Sequence, residues 1–280
     1  MDIDYDIDLF KYNTMRTHSI ASVMYTPHDV KELKDIIEKC KKKVFFLGGG
    51  SNIVFASQVK TPIVNLMKLN DTIVLNSNNS ITAGCSTRIQ KLINFGKNNA
   101  MGGFEYLYSL PASVGGIVYM NAGRGRKYHQ QISDWLIQVE YLDLEDMLIK
   151  TMKINKKLWK YRQSPFHEMN TVILTATFKM EKSSIQEVAT RIQERKDTVK
   201  RNQEANKPSS GSIFNKENKL LMRIIRGKRI GGAYYSRKTN NWICNDKSGT
   251  GDDVIALIEY AQKWHKMFGL ECVPEVRIIK

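Results

Sequence analysis

Three glycines followed by two polar residues, Gly48-Gly-Gly-Ser-Asn52, form the first group of residues that could do chemistry. Glycine adopts positive φ at no steric cost, so such a turn can direct successive N–H groups at one anion. Ser51 and Asn52 could donate further hydrogen bonds to the same anion. The turn lacks the GK[ST] ending of a Walker loop and is not a GxGxxG that opens a helix. It predicts phosphate binding, with a plain tight hairpin turn as the open alternative.

A second candidate segment spans residues 105–123, where small residues interrupt an apolar sequence. The interrupting residues are Pro111, Ser113, Gly115, Gly116 and Gly123. A backbone of this kind can press against a flat apolar ligand while its N–H groups meet the ligand's polar edges. The alternative is a pair of buried strands with glycines at bulges. The two interpretations are compatible, since the ligand would then form part of the core.

Mixed α and β elements must position these two segments. Asp29 is predicted to cap a helix that begins at Val30, and Thr250 with Asp253 resembles a capping box for a C-terminal helix that Gly269 ends. Further helices are predicted around Ile89 and over 184–201. The predicted strands are 22–26, 44–47, 53–55, 73–75, 81–83, 137–142 and 171–180. The glycine turn thus joins two strands rather than a strand and a helix.

The composition is that of a soluble globular protein, with 42% hydrophobic and 25% charged residues in 280. No apolar run approaches the roughly 18 to 20 residues of a membrane helix, and the acidic N-terminus is unlike a signal peptide. The four cysteines are far apart, which argues against a zinc site or disulfide framework and favours a reducing cytoplasm. The histidines form no ligand-spaced cluster, so no metal site is predicted. The net charge of +15 favours anionic ligands, but no basic stripe with interleaved aromatic residues indicates nucleic acid.

In this order, the segments resemble the FAD-binding half of the UDP-N-acetylenolpyruvoylglucosamine reductase (UDP-N-acetylmuramate dehydrogenase) family, and the resemblance covers nearly the whole chain. The motifs that carry it are Asn13-Thr-Met15, Leu47-Gly-Gly-Gly-Ser-Asn-Ile53, Leu110-Pro-Ala-Ser-Val-Gly-Gly116, Met120-Asn-Ala-Gly123, Tyr161-Arg-Gln-Ser-Pro-Phe166, Pro208-Ser-Ser-Gly-Ser-Ile-Phe214, Gly231-Gly-Ala233 with Ser236, and Pro274-Glu-Val-Arg-Ile278. Each motif alone is weak, and their shared order makes the resemblance specific. The short stretch from Phe166 to Thr171 resembles the branch that lacks an extra tyrosine-bearing loop.

The resemblance implies an α+β fold, with a two-lobed FAD-binding region of the PCMH/vanillyl-alcohol-oxidase type and a C-terminal α/β substrate-binding domain. We expect the FAD-binding lobes at residues 1–70 and 71–202 and the substrate-binding domain at 203–280. The residues expected to bind non-covalent FAD are Leu47, Gly48, Gly49, Gly50, Ser51, Asn52, Pro111, Ser113, Gly115, Gly116, Asn121, Ala122 and Gly123.

The resemblance also implies NADPH-dependent reduction of a UDP-sugar, UDP-N-acetylglucosamine enolpyruvate, by way of FAD. Arg162 and Glu275 are expected to stabilise the enolate-like intermediate, and Ser212 is expected to donate a proton to carbon. A guanidinium can clamp a carboxylate with two hydrogen bonds. Glu275 would have to be protonated, or paired with a cation, to help an anion form. Lys207 or Lys216 could support the Ser212 alkoxide.

Two departures from the family pattern bear on substrate contacts. Arg124 stands where the family has alanine, and Lys216 replaces an asparagine expected to touch the substrate. The alternatives are an FAD-dependent oxidoreductase paralogue of the same fold acting on another substrate, a paralogue without catalysis, and a basic nucleic-acid-binding protein. The Ser212 and Glu275 motifs favour the reductase. We expect a cytoplasmic monomer without nucleic-acid or membrane partners.

Overall fold

The computed structural model describes residues 1–124, 128–204 and 206–280. The chain divides into two compact units, each built from separate stretches of sequence. The first unit comprises Met1–Asp2, Tyr25–Gly49 and Val64–Thr198, and the second comprises Ile3–Met24, Gly50–Ile63 and Val199–Lys280. The sequence-based division at residues 70 and 202 stays a prediction.

The secondary structure mixes α and β throughout the described residues. The helices are α1 Val30–Lys39, α2 Ile89–Asn98, α3 Val114–Tyr119, α4 Ile185–Asn202, α5 Lys219–Ile224 and α6 Gly251–Met267. The strands are β1 Asp2–Asp8, β2 Ile20–Thr26, β3 Phe45–Leu47, β4 Ile53–Phe55, β5 Gln58–Val59, β6 Ile63–Asn65, β7 Ile73–Asn76, β8 Ser80–Gly84, β9 Met101–Gly102, β10 Gly123–Arg124, β11 Gln130–Gln131, β12 Leu136–Asp143, β13 Ile149–Lys153, β14 Thr171–Lys179, β15 Glu181–Lys182, β16 Ser209–Ser212, β17 Phe214–Lys216, β18 Arg229–Ile230, β19 Ala233–Tyr235, β20 Trp242–Asn245, β21 Val273–Pro274 and β22 Arg277–Ile279. Short 3-10 helices include Glu105–Leu107 and Pro165–His167.

The helix boundaries confirm the capping predictions. The Asp29 side chain accepts the Glu32 N–H at 2.8 Å, so α1 begins at Val30. Thr250 and Asp253 form a reciprocal capping box at the start of α6. Just beyond α6, Gly269 has φ +66°, the left-handed conformation in which helices commonly end. The two helix starts were therefore predictable from the side chains that accept the terminal N–H groups, and the helix end was predictable from the glycine.

A five-stranded antiparallel sheet, in the order β13-β12-β14-β8-β7, forms the core of the first unit. One row of paired residues crosses it, from Met152 through Val139, Ala176 and Ala83 to Ile73. The three central residues of this row are almost completely buried. Helix α3 packs against β14 and buries its apolar side chains there. This packing holds the glycine-rich segment against a rigid sheet.

In the second unit, the strands β16-β20-β19-β18 form a sheet covered by α6. The buried Tyr235 hydroxyl donates to the Leu257 carbonyl at 2.9 Å, which ties the sheet to α6. Two strands from earlier in the chain, β2 and β5, pair in parallel in this unit through Ile20–Gln58 and Ala21–Val59. Within the described residues, no helix has both the length and the apolar composition needed to span a membrane.

Candidate active site

The glycine turn contacts the second glycine-rich segment inside the first unit. A Cβ added to Gly48 would lie 3.0 Å from the Ser113 Oγ. A Cβ added to Gly49 would lie 3.0 Å from the Pro111 carbonyl oxygen and 3.2 Å from the Ser113 nitrogen. The backbone N–H groups of Gly48 and Gly49 donate to no acceptor among the described residues. Two segments about 60 residues apart in sequence thus meet along bare backbone, with N–H groups left for a ligand.

Residues 114–119 form helix α3, so the alternative of two buried strands in this segment was wrong. Ser113 caps the helix, and its Oγ accepts the Gly116 N–H at 3.4 Å. The N–H groups of Val114 and Gly115 donate at 2.9 Å to carbonyl groups of the loop that precedes α2. Glycines and β-branched residues are poor helix formers, but the cap and the packing on β14 overcome this local preference.

The two glycines of α3 have different surroundings. A Cβ on Gly115 would lie 3.2 Å from the Cys85 Cβ, so Gly115 packs tightly inside the unit. A Cβ on Gly116 would meet only the Ser113 Oγ, at 3.5 Å. Gly116 is therefore free of packing constraints on that side, and its face of α3 is open to a ligand.

Arg162 lies on a two-residue turn that hydrogen bonds hold against the end of α3. The turn is closed by reciprocal backbone hydrogen bonds between Lys160 and Gln163, at 3.0 and 3.1 Å. The Asn121 amide donates to the Lys160 carbonyl at 2.8 Å, and the Ser164 hydroxyl donates to the Tyr119 carbonyl at 2.7 Å. Asn121 thus connects the predicted flavin segment to the turn that carries the predicted catalytic arginine.

The backbone of Arg162 is strained. Its φ is +57°, a value that this turn position normally reserves for glycine or asparagine. Such strain costs about 1 to 2 kcal/mol for an L-residue and is concentrated at functional sites. Burial, together with the negative charge of Asp134, raises the pKa of the nearby Tyr106, and the positive charge of Arg162 offsets a small part of that rise. Tyr106 is therefore a neutral phenol close to the guanidinium.

The remainder of the glycine turn belongs to the second unit, where Gly50 packs against the N-terminal segment. Gly50 has φ +65°, and an added Cβ would overlap the Tyr12 carbonyl oxygen. Its carbonyl accepts the Thr14 N–H at 3.0 Å. The buried Asn13 amide donates to the carbonyls of Leu9 and Thr17, at 2.8 and 3.1 Å. The Asn13-Thr-Met15 motif thereby gives the turn a fixed support.

Ser212 and Glu275 meet in the second unit through the strand backbone. The Glu275 N–H donates to the carbonyl of Ile213, the residue after Ser212, at 2.7 Å. The Asn52 side chain donates to the Glu275 carbonyl at 3.1 Å. The Arg277 N–H donates to the Asn52 carbonyl at 3.0 Å. Three predicted site residues, separated widely in sequence, therefore lie side by side.

A β-bulge exposes Ser212. Between the pairs Ser209–Cys244 and Ser212–Trp242, strand β16 contains one more residue than β20. Gly211 has φ +80° inside this bulge. Bulges re-aim the side chains that follow them, and Ser212 is exposed whereas Ile213 is fully buried. The strand ends with the serine hydroxyl accessible to a ligand.

Asn241 fixes the backbone immediately after Ser212, a role that the sequence analysis missed. Its Oδ1 accepts the N–H groups of Ile213 and Phe214 at 3.1 and 2.8 Å, and its Nδ2 donates to the Phe214 carbonyl at 2.7 Å. Asn241 has φ +57°, a conformation that asparagine tolerates better than most residues. The pair Asn240-Asn241 before a strand was the available signal.

The two lysines considered as partners of Ser212 differ in their contacts. Lys216, at the end of β17, forms an ion pair with Glu271, and both side chains are about 65% exposed. An exposed pair of this kind is worth about 0 to 1 kcal/mol, so a ligand could displace it. Lys207 is exposed and has no resolved ion pair among the described residues. Within the same ranges, no group of three or more His, Cys, Asp or Glu side chains could hold a metal ion.

Comparison with known proteins gives concordant matches along the chain. Residues 21–151 match a family model described as "FAD binding domain". Residues 203–279 match one described as "UDP-N-acetylenolpyruvoylglucosamine reductase, C-terminal domain". The chain is 32% identical to a protein of that name from Francisella tularensis, with 92% of this chain and 93% of the relative covered. It is 28% identical to another from Clostridium beijerinckii, with 99% and 92% covered.

A solved structure gives the same result for the fold. The crystal structure of UDP-N-acetylenolpyruvylglucosamine reductase from Thermus caldophilus superposes with a TM-score of 0.80 and covers 100% of both chains at 24% identity. The match confirms the predicted fold class, an FAD-binding region followed by a C-terminal domain.

Proposed function

The chain belongs to the UDP-N-acetylenolpyruvoylglucosamine reductase family, and from this premise we propose that it reduces UDP-N-acetylglucosamine enolpyruvate to UDP-N-acetylmuramate in peptidoglycan precursor synthesis. It is an FAD-dependent oxidoreductase that uses NADPH. The observation that carries the assignment of its catalytic groups is the 2.7 Å hydrogen bond from the Glu275 N–H to the Ile213 carbonyl. It supports the proposal because it joins the backbone of the proposed acidic residue to the residue that follows the proposed proton donor.

The chain's own backbone fits FAD. We assign the FAD pyrophosphate to the turn Gly48–Asn52, because the N–H groups of Gly48 and Gly49 have no acceptor among the described residues and glycine allows close approach of an anion. The flavin ring would lie against Pro111–Gly116 and Asn121–Gly123. The open space beside Gly116 supports this assignment.

The chemistry that bound FAD supplies is hydride relay from NADPH to the terminal methylene of the enolpyruvyl group. When the new C–H bond forms, the alkene electron pair moves toward the neighbouring carbon and its carboxylate. Arg162 binds that carboxylate with its guanidinium, and Glu275 stabilises the developing enolate as a protonated or cation-paired carboxyl. Ser212 then gives its proton to the carbon, which completes the lactyl ether.

Ser212 suits proton delivery because the bulge exposes its hydroxyl while Asn241 fixes the adjacent peptides. A serine hydroxyl is a weak acid, so its alkoxide needs nearby positive charge or hydrogen-bond donors. We assign this support to Lys207 and to Lys216 after substrate displaces Glu271, in keeping with the exposure of both lysines.

An oxidoreductase of the same fold acting on another substrate is not favoured. The match of residues 203–279 is to the C-terminal domain of this reductase family specifically.

We further propose a cytoplasmic location, since NADPH and nucleotide sugars are supplied inside the cell. We also propose a monomer. The division at residues 1–70, 71–202 and 203–280 into two FAD-binding lobes and a substrate-binding domain is retained as a proposal.

The test is to purify the protein, record its visible spectrum and follow NADPH oxidation with and without UDP-N-acetylglucosamine enolpyruvate. We expect a flavin spectrum and substrate-dependent oxidation. Ser212→Ala should keep flavin reduction by NADPH but lose turnover by about 100-fold or more. A colourless protein would overturn the whole proposal. Wild-type turnover in Ser212→Ala would remove only the serine from the mechanism.

A further inference from the structure

Arg195, on helix α4 of the first unit, is half-buried without the partners that a buried arginine normally has. Its Nε is buried and has no hydrogen-bond acceptor among the described residues. No carboxylate there pairs with its guanidinium. Burial lowers the pKa of Arg195, and the positive charge of Arg124 lowers it further. Buried charged groups are nearly always paired, so this arrangement lacks a counter-charge.

Arg191, one turn earlier on the same face of α4, also has a buried Nε without an acceptor among the described residues, but its guanidinium has other partners. Its Nη2 donates to the Ser183 Oγ at 2.7 Å and lies 3.5 Å from the Glu105 Oε1. The Glu105 side chain is buried, so its carboxylate compensates that guanidinium. Arg195 is four residues further along and has neither type of contact within the described ranges. Of the two partly buried arginines of α4, only Arg195 lacks a carboxylate partner among the described residues.

Arg124 supplies the second positive charge. Its guanidinium carbon lies 3.9 Å from the centre of the Tyr128 ring, and no hydrogen bond or ion pair to the described residues holds it. The short pairing of Arg124 with Gln130 fixes its backbone. It directly follows Gly123, the end of the segment assigned to the flavin. The Arg124 guanidinium, which follows that segment, is thus close enough to Arg195 for its positive charge to lower the pKa of Arg195.

We propose that Arg124 and Arg195 form a subsite for a doubly negative phosphate or diphosphate group of a nucleotide substrate. Two uncompensated guanidinium groups match a double negative charge, and their planar donor sets fit phosphate oxygens. The proposal rests on the proposed function, which supplies two nucleotides with such a group. NADPH carries a 2′-phosphate monoester, and the UDP-sugar carries a diphosphate.

Binding to the FAD-loaded enzyme separates these sources. The probes are 2′,5′-ADP, which carries the 2′-phosphate, 5′-ADP, which lacks it, and UDP, each measured by titration calorimetry. The variants are Arg124→Gln, Arg195→Gln and the double variant. Arg223→Gln, at an exposed position on α5, removes the same charge elsewhere. Arg195→Lys keeps the positive charge and removes the planar guanidinium with its set of N–H donors.

We expect one probe to bind about 10- to 100-fold more weakly to Arg124→Gln and to Arg195→Gln, because each variant loses one charge-assisted hydrogen bond. Arg223→Gln should bind that probe as the parent does. Weaker binding of 2′,5′-ADP with unchanged binding of UDP would assign the subsite to NADPH. The KM for NADPH should then rise, while the KM for NADH should not. Weaker UDP assigns it to the sugar nucleotide. Thermal stability should be equal or higher, because a like-charge repulsion is removed.

If 2′,5′-ADP and UDP both bound to the glutamine variants of Arg124 and Arg195 within twofold of the parent, the subsite would be overturned, as it would by a loss confined to FAD content. Should Arg195→Gln fail to fold, Arg124→Gln alone decides, because that side chain makes no structural hydrogen bond among the described residues. These outcomes do not depend on turnover. A parent enzyme that binds the probes but does not reduce the enolpyruvyl substrate would contradict the proposed function and leave the subsite standing.

Discussion

Replacing Asn241 with glycine should slow catalysis far more than it weakens folding. The change removes three side-chain hydrogen bonds to Ile213 and Phe214, at 3.1, 2.8 and 2.7 Å. At about 1 kcal/mol each, the loss is about 3 kcal/mol. Glycine adopts the φ of +57° more easily than asparagine, which stabilises the folded state by about 1 kcal/mol. The net expectation is about 2 kcal/mol of lost stability, which a domain of this size should survive.

The catalytic effect should be larger because the anchored peptides adjoin Ser212. The backbone bond from the Ile213 N–H to the Asn241 carbonyl, at 3.0 Å, remains. Phe214, however, loses the acceptor for its N–H, so the strand end can shift. A displacement of about 1 Å at a reacting group lowers kcat by about 100-fold. The KM for NADPH and the FAD content should stay unchanged, since the side-chain hydrogen bonds of Asn241 among the described residues go to Ile213 and Phe214 and not to residues assigned to FAD or to the Arg124–Arg195 subsite.

The assay combines urea unfolding with kcat and KM for substrate-dependent NADPH oxidation. Asn218→Ala is the matched control: it removes the cap of α5, whose N–H donors are Leu220 and Leu221, at a cost of about 1 kcal/mol. It should leave kcat unchanged. If Asn241→Gly lost stability but kept a kcat equal to that of Asn218→Ala, Asn241 would have only a structural role, and the reasoning would be refuted.

Three further predictions concern folding, cofactor binding and pH. Gly50→Ala should lower the free energy of unfolding by more than 2 kcal/mol, because it combines positive φ with steric overlap. Gly116→Ala should reduce FAD occupancy while stabilising the apoprotein by up to about 1 kcal/mol, since alanine favours the helix; absorbance at 450 nm and thermal unfolding measure the two. The Ser248 hydroxyl and the Arg229 guanidinium lower the pKa of Asp246 to about 2, so its stabilising contribution is complete above its ordinary pKa of 3.8 and is lost as the pH falls toward 2. Urea midpoints across that range measure this loss.

The predictions for Gly50 and Asp246 each have a control variant in the same chain. Gly211→Ala also introduces a Cβ at positive φ, but nothing lies within 4 Å of it, so its loss should be only about 1 to 2 kcal/mol. Equal losses in the two variants would remove the overlap argument at Gly50. Unchanged FAD occupancy in Gly116→Ala would indicate that the flavin does not lie against that face of α3. Asp246→Asn should show a smaller fall in stability between pH 4 and 2 than the parent.

The sequence predicted most elements because their signals are local. Asp29 and Thr250 mark helix starts by satisfying N–H groups a few residues away, and apolar alternation in 171–180 reports one buried face of a strand. The strand–turn–strand arrangement around Gly48–Asn52 was confirmed for the same reason. At these positions the determining interaction spans only a few residues, so the local sequence was sufficient.

Helix α3 and the support of Ser212 depend on distant contacts. Val114-Gly-Gly-Ile-Val118 has the composition of a strand, and only the Ser113 cap and packing on β14 make it helical. Asn241 acts across 27 and 28 residues of sequence to fix Phe214 and Ile213. A single sequence does not reveal which asparagine reaches which peptide. The family resemblance predicted the roles of Ser212 and Glu275, while the residues that support them required the structure.

The pairing of β4 with β22 has a consequence for how the protein is made. Among the described strands, β4 pairs only with β22, and the neighbouring contact joins Asn52 to Glu275 across 223 residues. A ribosome adding about 5 to 20 residues per second needs roughly 10 to 45 s to cover that distance. Until β22 has been synthesised, β4 lacks its partner strand, and the turn Gly48–Asn52, which we propose binds FAD, lacks its contact with Glu275. That turn therefore acquires its full set of contacts only after the residues of β22 have been added.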